Sequence, residues 1–227
     1  MKMNSKLRRI LLTVCSAALL VCVTVGATVA YLTSTDTVTN TFTVGKVAIT
    51  LDEAKVNNAG EPIDDDGNVV DVSAAKRVTA NSYKLMPGHT YTKDPTVTVL
   101  KGSETSYVKM TVTFTMSSQL DAIFAPNGAN MTSIFDGYDS TNWIYKGNTE
   151  DTTKNTRTYE FWYKETVTAL ESDVVLDALF DQIVVPGTIT NAQIDTIKDM
   201  TITVKAYAIQ ADGFDTADKA WAAYAAN

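Results

Sequence analysis

A strict alternation of apolar and polar residues constrains this chain more than any other feature. Residues 107–116 read YVKMTVTFTM. The apolar phase of this stretch is Val108, Met110, Val112, Phe114 and Met116. Lys109 and three threonines fill the other phase. A period of two residues is that of a β-strand, so the pattern predicts a strand with one buried face.

Two further stretches carry the same period. Residues 200–209 (MTITVKAYAI) alternate like the first stretch, and residues 158–164 (TYEFWYK) carry aromatic rings in both phases. The aromatic stretch predicts a strand that is buried on one face and covered on the other. Between residues 42 and 51 the apolar phase changes at Gly45, which predicts a bulge or bend.

Helices are predicted to be few and peripheral. Residues 117–124 begin with a serine suited to an N-cap, residues 191–199 form a second short capped segment, and residues 215–226 predict an Ala-rich helix capped by Asp215. None is long enough to build a core. We therefore predict an all-β fold, an antiparallel β-sandwich with a few short peripheral helices.

The turn and loop signals in the rest of the sequence fit a single domain over residues 31–227. Residues 52–82 lose the strand rhythm and are predicted to be an excursion with a small hairpin at Asp66-Gly67. A turn at Pro87-Gly88 then leads to a strand at residues 96–100. No repeat and no Pro-rich or Gly/Ser-rich linker divides this part of the sequence.

The first thirty residues predict an export signal. They combine four basic residues before position 10, an apolar stretch over residues 10–25, and small residues towards position 30. Thr28 and Ala30 occupy the positions that a signal peptidase reads, so Tyr31 is the expected first residue of the mature chain. The alternative, a retained transmembrane helix, needs about 20 apolar residues, and this stretch reaches that length only if its polar residues are tolerated.

Cleavage at this point changes both charge and cysteine content. The mature chain keeps 15 basic and 26 acidic residues, a net charge of about −11. Such a chain is expected to avoid nucleic acid and to meet the membrane only through its uncleaved signal. Both cysteines, Cys15 and Cys22, lie in the signal, so the mature protein has no disulfide and must be stabilised by burial and strand pairing.

No residue pattern predicts an enzyme or a cofactor. His89 is the only histidine and no cysteine lies outside the signal, so a zinc site would have to be built from carboxylates, and a zinc hydrolase is not expected. No nucleophile motif is present either. The acidic turn at Asp64, Asp65 and Asp66 fails the EF-hand spacing, because its sixth and twelfth positions are Val69 and Ala75. We expect a solvated turn, although a looser surface calcium site stays open.

Aromatic residues between positions 143 and 163 suggest an alternative function. They are Trp143, Tyr145, Tyr159, Phe161, Trp162 and Tyr163. Such rings could line a sugar-binding groove, which would make the protein a monomeric extracellular adhesin or carbohydrate-binding module. Core packing and cross-strand pairing explain the rings more economically.

The N-terminal stretch resembles the TasA and camelysin family of exported bacterial fibre and cell-surface proteins. After a signal ending GATVA, the family has the pattern N-x-F-x-x-G-x-[LIV]-x-[LIV]. The residues that match this pattern are Asn40, Phe42, Gly45, Val47 and Ile49. A second likeness is LMPGHTYTKDPTVTV, in which Pro87, Gly88 and Lys93 match the family's turn before a strand. The likeness covers about a third of the chain.

The resemblance implies an exported jelly-roll sandwich, cleaved by a dedicated signal peptidase and assembled into fibres at a bacterial cell surface or in a biofilm matrix. The implied partners are the signal peptidase, copies of the same chain and other matrix proteins. Camelysin-like relatives have been described as metalloproteases, but this sequence lacks the histidines for that activity. The resemblance therefore implies a structural subunit.

Cleavage would release a β-prone, Pro-free segment over residues 31–41. Its first eight residues are Tyr31, Leu32, Thr33, Ser34, Thr35, Asp36, Thr37 and Val38. Such a segment can complete an open sheet edge of a neighbouring subunit by strand addition. We therefore expect residues 31–38 to form a donor strand and cleavage to switch assembly on.

Overall fold

The structure is a computed structural model and describes residues 45–124 and 135–225. These residues belong to one compact unit that begins at Gly45. The signal, the donor segment, Asn40 and Phe42 lie outside the described residues. Within them, no helix is long and apolar enough to span a membrane.

Twelve strands and three α-helices make up the described residues. The strands are β1 (Ile49–Ala54), β2 (Arg77–Val78), β3 (Thr90–Thr92), β4 (Thr96–Val99), β5 (Ser103–Thr115), β6 (Phe135–Asp136), β7 (Trp143–Asp151), β8 (Thr156–Tyr163), β9 (Val167–Ala169), β10 (Val174–Val175), β11 (Gln182–Val184) and β12 (Ile202–Gln210). The helices are α1 (Ser117–Phe124), α2 (Asn191–Thr196) and α3 (Ala217–Ala225), with one 3-10 turn at Val72–Ala74.

All pairings between these strands are antiparallel. One sheet has the order β10-β4-β1-β2, a second has the order β3-β11-β6, and the largest has the order β12-β5-β8-β7 with β9 also on β5. The all-β, antiparallel prediction is therefore confirmed. One buried cluster takes residues from all three sheets, including Val97, Val112 and Ile183.

Strand β5 confirms the pattern from which the fold was predicted. Val108, Met110, Val112 and Phe114 are fully buried, and Thr111 and Thr113 between them are partly exposed. Met116 departs from the pattern because the strand ends at Thr115 and Met116 has φ +59°. Strand β12 confirms the second pattern, since its alternate apolar residues from Ile202 to Ala208 pack against the core.

The aromatic stretch is covered on both faces as predicted. Tyr159 and Phe161 of β8 are buried in the core. Trp162 points to the other face, where its ring centre lies 6.2 Å from that of Trp221 in α3. The Nζ of Lys146 lies 4.0 Å from the Trp162 ring centre. The C-terminal helix therefore shields part of the outer face of the largest sheet.

Phe135 links the second sheet to the largest sheet through the core. Its ring stacks on Phe180 with centres 4.3 Å apart, and it contacts Phe114 at 5.4 Å and Tyr159 at 5.9 Å. Its strand β6 has only two residues. A very short strand thus carries one of the central contacts of the core.

The helix boundaries are close to those predicted, but two caps differ. Helix α3 begins at Ala217, and the amide of Lys219 donates to Thr216 Oγ1 at 3.3 Å, so the cap is Thr216 and not Asp215. Asp215 instead forms an ion pair with Lys219 one turn later. At α1 the amide of Ser118 donates to Asn155 Oδ1 at 3.0 Å. That cap comes from a turn distant in sequence, which local sequence patterns cannot reveal. Helix α2 is capped as a short helix, but its cap is Thr190, one residue before the predicted segment, in a capping box with Gln193.

Two substitutions of Asn155 should separate the effect of losing the α1 cap on stability from the effect of backbone strain. Asn155 has φ +52°, in the left-handed region. We expect Asn155→Ala to lower the free energy of unfolding by about 2 kcal/mol, from the lost cap and the strained backbone. Asn155→Gly should cost about half of that, because glycine relieves the strain but not the lost cap. Urea denaturation measures both, and equal stability of the two variants would contradict the assignment.

The excursion over residues 52–82 also contains its predicted hairpin. Ile63 bridges Val69, and the amide of Asp64 donates to the carbonyl of Asn68 at 3.0 Å. The last part of the excursion is less isolated than predicted. There β2 pairs with the end of β1 and adds a short edge strand to the sheet of β10, β4 and β1. The strand predicted at residues 96–100 is β4, which ends one residue earlier.

Candidate functional site

A groove on the described surface lies between β1 and β12. It encloses about 560 Å³. Part of its lining is apolar and only partly buried, namely Leu51, Leu85, Met200, Ile202 and Val204. Polar residues line the rest, including Asn81, Ser82, Lys198, Thr201 and Thr203. A half-covered apolar floor with a polar rim is typical of a binding surface.

One wall of the groove is the open edge of β12. This strand pairs with β5 without interruption from Ile202 opposite Phe114 to Gln210 opposite Ser106. Among the described residues no strand pairs with its other side, and β1 faces it without strand pairing. Nine residues at about 3.3 Å each give an edge of about 30 Å.

The other edges of the two larger sheets are protected. Strands β2 and β10 have two residues each. Strand β7 is as long as β12, but its pairing with β8 shifts between Tyr145 and Gly147. Short strands and bulges are the usual protection of edges against unwanted pairing. Strand β12 is the long, regular edge among the described strands, and so the one best suited to accept another strand.

A buried ion pair lies at the β1 side of the groove. The ammonium group of Lys93 contacts the Glu53 carboxylate, and the two side chains are 6% and 10% exposed. Asn81 Nδ2 donates to Glu53 Oε1 at 2.9 Å, which satisfies the second oxygen. Beside this pair, Arg77 contacts both Asp52 and Asp94. The buried charges of Lys93, Glu53 and Asp94 are therefore all paired, as burial requires.

Tyr83 closes the polar side of the groove. Burial, together with the negative charge of Glu53, raises the pKa of its hydroxyl above the ordinary value. The hydroxyl donates to the carbonyl of Thr92 at 3.2 Å, and Lys93 Nζ lies 6.0 Å from the ring centre. Tyr83 is therefore a neutral hydrogen-bond donor, and nothing in this arrangement resembles a nucleophile with its base.

The groove mouth and the first described residue lie at opposite ends of the sheets. Residues 201–204 line the groove mouth, at the end of β12 that pairs with Phe114 and Val112. Gly45 lies at the other end, where Lys46 accepts from the Glu104 amide at 2.9 Å. Ala211, just after β12, bonds to Thr105 at that same end. Gly45, the first described residue, therefore lies far from the groove mouth.

The described residues of the family motifs fall into two places. Gly45 and Val47 precede β1, and Ile49 is its first residue. The chain passes close to β5 at Gly45, where a Cβ atom would lie 2.9 Å from Glu104 Cγ. The backbone then changes its hydrogen-bond partner. The carbonyl of Lys46 accepts from the amide of Glu104 in β5, whereas the carbonyl of Ala48 accepts from the amide of Leu100 after β4. This change agrees with a predicted bend near Gly45.

Pro87 and Gly88 form the predicted turn before β3. Gly88 has φ +73°, which explains the glycine, and its amide donates to the carbonyl of Val185 at 3.0 Å. Lys93 lies between β3 and β4 and lines the groove. Of the motif residues in this turn, Lys93 alone reaches the candidate site.

Sequence patterns did not indicate the partners of Lys93. Glu53 and Asn81 are 40 and 12 residues away from it in sequence and were not singled out. Lys198 at the rim was also missed. A charged residue within a strand usually points to solvent, so nothing in the sequence marks Glu53 as buried.

The six aromatic residues of the alternative function divide into two sets. Trp143, Tyr159 and Phe161 are at most 1% exposed, so these three rings pack the core, as the more economical interpretation predicted. Tyr145, Trp162 and Tyr163 are only partly buried. His89 is exposed in its turn, as expected.

The acidic turn is held by its own hydrogen bonds. Asp64 Oδ1 accepts from the amides of Asp66 and Asn68, both at 2.9 Å, and the pKa of Asp64 is lowered mainly by the Asn68 side chain. Asp65 pairs with Lys76. Within residues 45–124 and 135–225, no group of three His, Cys, Asp or Glu side chains is placed to hold a metal ion.

Comparisons with family models, with curated proteins and with solved structures gave no match for this chain. The geometry of the groove and the composition of the N-terminal segment are therefore the basis for a functional proposal.

Proposed function

We propose that the mature chain is a secreted structural subunit of a bacterial cell-surface or biofilm-matrix fibre. In this proposal, residues 31–41 of one copy add to the edge of β12 in the next copy. The observation that carries the proposal is the placement of Gly45 and the groove mouth at opposite ends of the sheets. A donor and an acceptor at opposite ends make a head-to-tail contact that does not close on itself, so assembly propagates.

The dimensions of segment and edge agree. Eleven extended residues span about 36 Å, and the edge of β12 spans about 30 Å. A strand that enters from the groove mouth with Tyr31 leading would run antiparallel to β12. It would also lie between the open edge of β12 and β1. We propose that this added strand completes the jelly-roll type of sandwich that the family resemblance implies.

Apolar contacts decide whether docking is favourable. About six interchain hydrogen bonds would contribute about 1 kcal/mol each. Ordering the segment costs a comparable amount. The balance therefore depends on burying Leu32 and Val38 against the partly exposed floor at Leu51, Ile202 and Val204.

Electron microscopy of two purified chains tests the proposal. A chain that begins at Tyr31 should form fibres, and a chain that begins at Phe42 should stay monomeric at the same concentration. Thr37→Pro in the longer chain is a matched variant, because proline removes one backbone donor from the strand but keeps the length. It should weaken assembly, measured as a higher critical concentration.

Equal fibres from the two chain lengths would end the proposal. A chain that begins at Tyr31 and stays monomeric at every concentration would instead support an adhesin or carbohydrate-binding module. The N-terminal residue of the secreted protein should be Tyr31, which Edman degradation or intact mass can establish. Secreted protein that still begins at Met1 would remove the proposed switch.

A further inference from the structure

The outer face of the largest sheet carries rows of threonines that end at the open edge of β12. One row crosses four strands and consists of Thr149, Thr158, Thr113 and Thr203, each directly opposite the next. The hydroxyls of Thr113 and Thr158 are 2.8 Å apart. These residues face outward because Val112 and Phe114, their neighbours in β5, are fully buried.

A second row lies one step further towards the groove mouth. Thr156 is opposite Thr115, and the hydroxyls of Thr115 and Thr201 are 3.3 Å apart. The amide of Thr201 also donates to Thr115 Oγ1 at 2.9 Å. Thr201 and Thr203 are both exposed and have a cross-strand neighbour on one side only among the described strands. Any strand that adds to β12 places its outward side chains beside them.

The N-terminal segment has a phase that matches this face. Its odd positions from 33 to 41 are all threonine. Its even positions are Leu32, Ser34, Asp36, Val38 and Asn40, so both of its aliphatic residues share the other phase. Because the side chains of a strand alternate, the two phases must face opposite sides of the sheet.

We infer that the donor segment docks on β12 with its threonine phase outward, so that it continues the threonine rows of the neighbouring subunit. This inference rests on the proposed function and adds the orientation of the docked segment and the residues that recognise each other. Cross-strand threonine pairs are favourable in antiparallel sheets. The opposite phase would expose Leu32 and Val38 on the threonine face and place threonines on the apolar floor.

The charge of the segment agrees with the same orientation. Asp36 is its one charged side chain, and it shares the inward phase with Leu32 and Val38. The charged residues that line the groove are Asp52, Glu53, Lys93 and Lys198. The first three are engaged in the ion pairs described above, whereas Lys198 has no ion pair with any described residue. Lys198 at the groove mouth is therefore suited to meet Asp36 and to set the register of the added strand.

Cysteine cross-linking between two different copies tests the inference. The mature chain has no cysteine of its own, so each copy can carry a single one. An acceptor with Thr203→Cys is mixed with donors substituted one at a time at positions 32 to 41, under a mild oxidant, with a mass tag on one partner. We expect at least one donor substituted at an odd position, where the threonines lie, to form a mixed dimer with the acceptor. Its yield should be at least ten times that of the donors substituted at the two neighbouring even positions.

A second acceptor makes the test symmetrical. The Val204 side chain faces the groove floor, so Val204→Cys should cross-link to even-numbered donors. Ser34→Cys is the main candidate, because that register brings Asp36 opposite Ile202 at the groove mouth. The reverse pattern, with even-numbered donors on Thr203→Cys, would overturn the inference. Fibres without any cross-link at either position would also overturn it but leave the proposed function standing. If no mixture associates at all, the proposed function fails and the inference fails with it.

Charge exchange tests the register contact separately. Asp36→Lys and Lys198→Asp should each raise the critical concentration for assembly about tenfold, and the two together should restore much of it. Lys205→Asp is the control for position, because Lys205 lies on the same strand edge but on the outer face. Rescue of Asp36→Lys by Lys205→Asp and not by Lys198→Asp would place the segment in the opposite phase.

Discussion

Replacing Phe135 with alanine is expected to lower the free energy of unfolding by about 3–5 kcal/mol. The side chain belongs to β6 of the second sheet, is 3% exposed, and contacts Phe114 of the largest sheet and Phe180 just before β11. Its loss leaves a cavity where these sheets meet, and a rigid aromatic cluster cannot easily collapse into it. For a domain of this size, the melting temperature should fall by about 6–20 °C.

Ile144→Ala is the matched control for this effect. Ile144 lies in β7 and is 43% exposed, so its truncation should cost less than about 1 kcal/mol. Thermal and urea denaturation of the chain that begins at Phe42 measure both variants without interference from assembly. If the two variants lose similar stability, Phe135 is not the link between the sheets that the structure shows.

The second large effect is expected at the buried ion pair. Lys93→Met leaves the Glu53 carboxylate in a buried place without its cation, which typically costs about 3–5 kcal/mol. We expect the lower end of this range, because Asn81 still donates a hydrogen bond to Glu53. The double variant Lys93→Met with Glu53→Leu should be more stable than the single one, because it leaves no uncompensated charge.

An exposed pair provides the comparison. Lys76 contacts Asp65, and their side chains are 46% and 77% exposed, so Lys76→Met should change stability by less than about 0.5 kcal/mol. Urea denaturation at neutral pH measures all three variants. If the double variant is less stable than Lys93→Met, removing the Glu53 carboxylate gives no relief. The expectation that an unpaired buried charge causes the loss of stability would then be wrong.

The sequence predicts strands well where burial acts on one face of a long stretch. In β5 and β12 every second side chain meets the core, so the period of two is visible without any tertiary information. Strands β2, β6 and β10 have two residues each, too few for a period to appear. Phe135 was not predicted as a core residue for this reason, although it is central to the packing.

The candidate site could be predicted only in part. A β-prone segment after a cut site points to strand addition, but the edge that accepts it depends on which strand of a sheet is outermost. That order follows from pairings such as β12 on β5, whose residues are about 100 positions apart in sequence. The helix caps show the same limit of sequence patterns on a smaller scale. Asn155 caps α1 from a position distant in sequence, and Thr216 caps α3 although the neighbouring Asp215 is an equally plausible cap in the sequence.

The separation of Gly45 from the groove mouth gives any filament built by this route two unlike tips. One tip presents a vacant acceptor, and the other presents an unoccupied tail. A copy that lacks the tail could still receive an incoming one but could not offer its own, so it would act as a chain terminator at a single tip. Small amounts of such a truncated copy should therefore shorten filaments far more than their mass fraction suggests.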